Sequence, residues 1–266
     1  MELSEDQTER YARHLVLQEI GETGQKKLIN SKVLVIGAGG LGSAAIMYLA
    51  AAGVGTIGIV DYDKVSLSNL QRQIIHNNSD KNLNKTSSAA KKVHALNPDV
   101  KTIIFNEHLT PDNIMDIIRD FEFIIDCTDR FETKFLINDA CVIAGKPYSH
   151  AGVIRFEGQA MTYVPKKGPC LRCMIGDVPH NSPVCSEVGV LGAVVGVLGS
   201  IQALEAIKYI VGTGELMCGR VFSFNGLSMQ TRLHKISGSN PECKICGVKP
   251  TIINLNGNRK DYDISC

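Results

Sequence analysis

The segment Asp61-Tyr62-Asp63-Lys64-Val65-Ser66-Leu67-Ser68-Asn69-Leu70-Gln71-Arg72-Gln73 sets an acid, an amide and a guanidinium behind a glycine-rich turn, where a dinucleotide-binding domain would resume a plain helix. That combination points to a nucleotide that is reacted with, not merely held. The turn itself is Gly37-Ala38-Gly39-Gly40-Leu41-Gly42, between the apolar, β-branched run 32–36 and an Ala-rich stretch ending near Ala52-Gly53. Gly37 permits the tight turn, Gly39 admits phosphate to the backbone, Gly42 lets helix and strand pack closely, and the helix N–H groups face the phosphates. A second strand, 56–60, ends in Asp61, about 20 residues beyond the turn, where a βαβ nucleotide fold carries its ribose-binding acid. The fingerprint indicates nucleotide binding but does not separate NAD, FAD and ATP.

Asp126 and Asp129 end another buried strand, at the sheet edge where α/β folds bind ligands. Magnesium needs only one or two protein carboxylates when phosphates and water complete its shell. Capping of the following helix suits Asp129 about as well. Arg72 and Lys85 follow the ribose acid, and Arg13 lies on the opening helix; each alone reads as a solvated charge, but together they surround a phosphate turn.

Cys170-Leu171-Arg172-Cys173 and Cys243-Lys244-Ile245-Cys246 form two CxxC knuckles, each preceded by turn residues. Four thiolates at tetrahedral distance make a closed zinc site with no open position for a substrate. The knuckles lie too far apart for a compact zinc finger, so the metal would staple remote segments. Redox chemistry is the rival reading, although redox CxxC motifs sit at a helix N-terminus and act singly. Cys185 has no such partner and falls in a polar, Pro-containing loop, 177–187, as either a spare surface thiol or a reactive one. Cys127, Cys141 and Cys218 sit in apolar settings expected of core residues.

The elements that must position these groups alternate. An amphipathic helix over 4–17 opens the chain, and helices over 84–96 and 131–144 alternate with strands over 100–105 and 123–125. Another helix is expected to open at Thr110-Pro111-Asp112, with proline at its first position. This rhythm predicts a mostly parallel sheet with helices on both faces. Beyond Gly145-Lys146-Pro147 come short strands over 148–151, 153–156, 159–164, 220–224 and 231–235, an antiparallel extension. The organisation expected is a single domain: a helical arm 1–30, a nucleotide-binding half 31–150, and an extension 151–266 with the zinc site and crossover loop 177–187.

A chain of 266 residues can bury a substantial core. A net charge of +1 supplies no field for nucleic acid or anionic lipid. Nine cysteines, an odd number, fit a reducing compartment with metal and thiol chemistry. The N-terminus has no signal-peptide pattern, so a cytoplasmic location is expected. The uncharged run 188–204 contains Gly192-x-x-x-Gly196, a membrane-helix spacing. Its glycines and polar residues, with Glu205 and Lys208 following, favour a buried or interface helix over a membrane span.

Taken together, Arg10-Tyr11-x-Arg13-His14, the glycine turn, Asp61, Leu67 to Gln73, Lys85, Asp126-Cys127-Thr128-Asp129, both CxxC pairs and Cys185 resemble the MoeB/ThiF/HesA family, bacterial relatives of the ubiquitin-activating enzyme. The match runs from about residue 4 to 246, and Asn69-Leu70-Gln71-Arg72-Gln73 is its most specific part. The resemblance implies a Rossmann-like α/β fold and adenylation, with ATP and magnesium, of the C-terminal Gly-Gly carboxylate of a ubiquitin-like sulfur carrier in molybdopterin or thiamine biosynthesis. It implies that Gly37, Gly39, Gly40, Gly42 and Asp61 hold the adenosine and ribose. Asn69, Arg72 and Lys85 would contact the phosphates, with Asp63 and Gln71 in the same nucleotide-binding set. Asp129 would support magnesium, and Arg13 would reach the triphosphate of the neighbouring subunit of a homodimer. Cys185 aligns with a loop cysteine that takes part in sulfur transfer in some members, and a separate protein is expected to donate the sulfur. Three other readings compete: an NAD-dependent oxidoreductase, which gives Arg13, Arg72, Lys85 and the knuckles no role; a non-catalytic scaffold for ubiquitin-like proteins; and, within the superfamily, an ATP-dependent dehydratase of a modified tRNA base, which the resemblance implies would lack the four-cysteine site.

Overall fold

Four consecutive apolar residues, Val33 to Ile36, carry β1 (Lys32–Ile36) through the middle of the protein, buried on both faces as a central parallel strand must be. Val33 and Val35 join one core, and Leu34 and Ile36 join the other. The computed structural model describes residues 2–179, 188–236 and 238–262. Its eight strands form one sheet in the order β3-β2-β1-β4-β5-β6-β7-β8. These are β2 (Thr56–Val60), β3 (Lys101–Phe105), β4 (Phe123–Asp126), β5 (Tyr148–Ile154), β6 (Glu157–Tyr163), β7 (Arg220–Asn225) and β8 (Gln230–Lys235). Pairing is parallel from β3 through β5 and antiparallel from β5 through β8, the mixed sheet expected.

Helices cover both faces. They are α1 (Glu5–Arg10), α2 (Ala12–Leu15), α3 (Gly21–Asn30), α4 (Gly40–Ala52), α5 (Lys85–Leu96), α6 (Ile114–Ile118), α7 (Phe131–Ala144), α8 (Leu171–Ile175) and α9 (Gly192–Val211). One core gathers residues of α4, α5 and α9, and the other those of α6, α7 and the cysteine knuckles. Progression along the sheet reverses between β1 and β4, the topological switch point at which such folds open a crevice.

By length and composition α9 could cross a membrane, yet half of that window is buried inside the protein. It packs along α4 and over β5 and β6. Its polar groups are satisfied there. Gln202 Nε2 donates to the Asp126 and Ser149 carbonyls at 2.7 and 3.2 Å, and Glu205 accepts from Thr162 Oγ1 and the Met217 N–H at 2.6 and 2.7 Å. The close approach to α4 is made at Gly199, where a Cβ would stand 2.3 Å from the Leu41 carbonyl oxygen; at Gly196 it would meet nothing within 4 Å. Of the two glycines in the membrane-like spacing, Gly192 packs against the Gln71 backbone and not α4, and Gly196 meets nothing.

Three local expectations differ from the structure. The opening helix breaks at Tyr11, which turns its ring inward until its hydroxyl accepts from Asn97 Nδ2 at 2.9 Å. The continuous helix expected from Thr110 begins at Ile114, preceded by a turn in which the Thr110 carbonyl accepts the Asn113 and Ile114 N–H groups at 3.3 and 3.1 Å and Asn113 Oδ1 accepts the Thr110 N–H at 2.8 Å. The strands expected over 148–151 and 153–156 are one strand, β5, running through Gly152.

Candidate active site

At the switch point the C-terminal ends of β2, β1, β4 and β5 open into a cleft of about 510 Å³. One wall is the glycine turn. Gly37 adopts φ +100°, and a Cβ on Gly42 would stand 1.9 Å from the Gly37 carbonyl oxygen, so helix and turn meet only through glycine. His76, buried beneath the turn, donates from Nε2 to the Ala38 carbonyl at 2.9 Å, because a carbonyl can only accept. Burial holds that ring below the ordinary histidine value.

Asp61 ends β2 and folds its carboxylate onto backbone: Oδ2 accepts the Ala38 N–H at 2.8 Å and Oδ1 the Asp63 N–H at 2.9 Å. Burial raises its pKa, with Lys85 opposing. The carboxylate is thus partly desolvated before any ligand arrives, and hydroxyl donors would relieve that cost. Lys85, at the start of α5, is buried and donates to Asp63 Oδ2 at 2.6 Å. Asn69 ends the 3-10 turn Leu67–Asn69 and accepts the Ser66 N–H at 3.3 Å. Arg72 donates to the Ser68 carbonyl at 3.3 Å, leaving most of its five donors for the cleft.

Gly37, Gly39, Gly40, Asp61, Asp63, Asn69, Arg72, Lys85 and Asp129 all line this cleft. Asp129 is exposed there and makes no hydrogen bond or ion pair among the described residues; α7 starts without a side-chain cap, so helix capping does not occupy it. Gln71, Gly42 and Arg13 do not line it. The Gln71 backbone lies against Gly192 of α9, and its side chain is exposed. Arg13 is exposed on α2. Cys185 lies outside the described residues.

Sequence reasoning gave no role to the lining residues Tyr62, Gln73, His108, Lys134 and His150, whereas Asp126, which it named, lies buried beneath the lining. Gln73 is buried beside Gly39 with Oε1 unpartnered. Tyr62 and His108 stack with ring centroids 3.4 Å apart. On the floor, Asp126 is fully buried, accepting from Lys134 Nζ at 3.3 Å, Thr128 Oγ1 at 2.7 Å and His150 Nδ1 at 2.8 Å. Burial pushes its carboxyl up, but Lys134, His150 and Thr128 together outweigh that and hold it well below the carboxylate range. No local pattern marks His150: it reaches the floor through the β4–β5 register, in which it pairs with Asp126 and so shares its face.

The four knuckle sulfurs come together, all within 4.8 Å of one another. Four of their separations are 3.3, 3.4, 3.7 and 3.9 Å. A tetrahedral zinc with Zn–S near 2.3 Å needs sulfurs about 3.8 Å apart, so the cluster fits that ion. Cys170 caps the N-terminus of α8, the location expected of a redox thiol. The convergence of all four sulfurs, not helix position, fits a metal site better than a single redox pair.

Fold and cleft together define a doubly wound α/β domain whose glycine turn is flanked by both cations and a free carboxylate. The ThiF family model matches residues 11–245, and the chain belongs to that family. It is 42% identical over 256 residues to the adenylyltransferase and sulfurtransferase MOCS3 of Dictyostelium discoideum, covering 95% of this chain and 60% of that protein. The Bos taurus MOCS3 is 42% identical over 266 residues, 99% of this chain and 58% of that one. The chain thus spans about three-fifths of the length of these curated relatives. Among solved structures, E. coli MccB with ATP superposes with a TM-score of 0.77 at 23% identity, covering 90% of this chain and 73% of that one. The microcin C7 enzyme MccB with N-formylated MccA reaches 0.79 at 22% identity, covering 92% and 77%. At those identities the likeness is one of fold.

Proposed function

We propose that this chain adenylates the C-terminal Gly-Gly carboxylate of a ubiquitin-like sulfur carrier, consuming ATP and releasing pyrophosphate, in the biosynthesis of molybdopterin or thiamine. The observation that carries this reading is the convergence of Asp61, Asn69, Arg72, Lys85 and unpartnered Asp129 around the glycine turn. Supporting it are relatives named adenylyltransferase and sulfurtransferase. An oxidoreductase would leave Arg72 and Lys85 idle, and a scaffold would have no use for a free carboxylate in the same cleft as two cations.

In this mechanism Asp61 receives the ribose hydroxyls, and the turn N–H groups, Asn69, Arg72 and Lys85 receive the triphosphate. A carrier carboxylate oxygen attacks the α-phosphorus in line, and the bond to pyrophosphate breaks. Catalysis is positioning plus cationic stabilisation of developing charge. Lys85 must shift some of its charge from Asp63 to phosphate. Magnesium, supported by Asp129, would supply further neutralisation of phosphate charge when bound. Arg13 would act on the cleft of a second copy in a homodimer. Cys185, by the family resemblance, would take part in sulfur transfer or join the carrier.

The test combines the protein with ATP, magnesium and each Gly-Gly-ending carrier of its own cell. Pyrophosphate exchange and an adenylate mass on one carrier are the expected result. Exchange with none, together with thermal protection by NADH but not by Mg-ATP, would sink the reading.

A further inference from the structure

The cleft floor holds a pair of groups that the proposed adenylation leaves without a task. Asp126 and His150 are in register on β4 and β5, with His150 Nδ1 2.8 Å from Asp126 Oδ2. Lys134 and Thr128 keep Asp126 ionised. An ionised carboxylate has no proton to give, so Nδ1 carries it. Nε2 of the neutral ring keeps its lone pair. Burial and the Lys134 charge hold the ring below the ordinary histidine value, against the pull of Asp126. Among the described residues Nε2 makes no hydrogen bond, and His150 lines the cleft. The floor therefore presents a fixed, unused acceptor.

Two residues along β5, on the same face, Gly152 also lines the cleft, and a Cβ there would meet nothing within 4 Å. Gln159, its partner on β6, borders the same space. An open strip of strand backbone thus leads past the acceptor. Strand order indicates which reactant uses it. Asp61 on β2 and the turn after β1 take up the nucleotide end, Asp129 follows β4, and the space over β5 and β6 remains for the second reactant. A strip this bare suits an extended, side-chain-free tail, whose peptide N–H groups need acceptors once they leave water.

We propose that His150, oriented by Asp126, is a specificity-determining positioning residue whose Nε2 accepts the peptide N–H of the carrier's terminal glycine and aims its carboxylate at the α-phosphorus. This rests on the adenylation reading. No bond is made or broken at the ring; it selects a tail that offers an N–H at that position.

The test uses the cognate carrier prepared by peptide ligation, ending either in Gly-Gly or in Gly-N-methylglycine, which lacks that N–H. With the wild-type protein, kcat/KM for pyrophosphate exchange should fall about 10–100-fold on methylation, the effect of leaving one buried polar group unpaired. In His150→Ala the two carriers should differ less than threefold, and KM for carrier should rise more than KM for ATP. His150→Asn keeps a donor for Asp126 while removing Nε2, and should show the same loss of discrimination if the alanine variant folds poorly. An equal methylation penalty in wild type and variants would overturn the assignment, as would a rise in KM for ATP matching that for carrier. Absence of exchange between wild type and the Gly-Gly carrier would instead sink the adenylation reading, and this one with it.

Discussion

At the cleft, opposite charges sit close together, and each has a distinct consequence. Arg72 uses one donor on the Ser68 carbonyl and turns the remainder toward the space beside the glycine turn. Arg72→Ala should lower turnover in pyrophosphate exchange by about 10²–10³-fold, as for other groups aimed at developing negative charge. A fall of less than threefold, with the fold intact by circular dichroism, would remove it from the phosphate site. Asp61 was readable from its distance to the turn. Gln73 was not: Gln71 and Gln73 have the same side chain, and only the packing of the intervening backbone against Gly192 decides which one faces inward.

Among the elements, α9 separates packing from pattern. Gly199→Ala should destabilise by about 1–3 kcal/mol, because a methyl group there would press on the Leu41 backbone. Gly196→Ala should be neutral or stabilising by up to about 1 kcal/mol, since it adds helix propensity in open space. Urea denaturation of the two variants checks both signs; equal midpoints would contradict the helix placement. The knuckles make a second prediction at this scale. The purified protein should carry one zinc per chain by elemental analysis, and Cys243→Ser or chelation should lower the melting temperature. An unchanged melting temperature after zinc loss would show that the staple adds nothing. Element types were legible wherever a long periodic run existed, as in α7, whose ends match the sequence reading. They were not where one side chain overrode the pattern, as Tyr11 does.

For the whole molecule, buried titrating groups set the pH range of stability. Both His76 and His150 have pKa values lowered from 6.5, chiefly by burial. An unfolded chain therefore takes up protons that the folded one resists, and stability is full above pH 6.5 and falls as pH drops below it. Asp126 is shifted down from 3.8 by its partners, so its contribution is present above that value and lost below it. Two-step loss of stability on acidification, followed by denaturant melts, is the expected outcome; a curve flat from pH 7 to 5 would show that the two rings titrate normally. The parallel half of the sheet was legible from its alternating strands and helices, and the antiparallel half from its closely spaced short strands. The cleft floor was hidden because it is assembled by register between β4 and β5, which no local pattern records.

The inward turn of Tyr11 reaches further than the break it makes in a helix. Its hydroxyl is held by Asn97, its ring lies where a side chain on Gly53 would be, and the next residues are tied down where His14 meets Gln25 at 2.9 Å. Arg13 stands between those two moorings. Most of the entropy of ordering that stretch is already spent within one chain, so whatever the guanidinium meets need immobilise only the side chain itself.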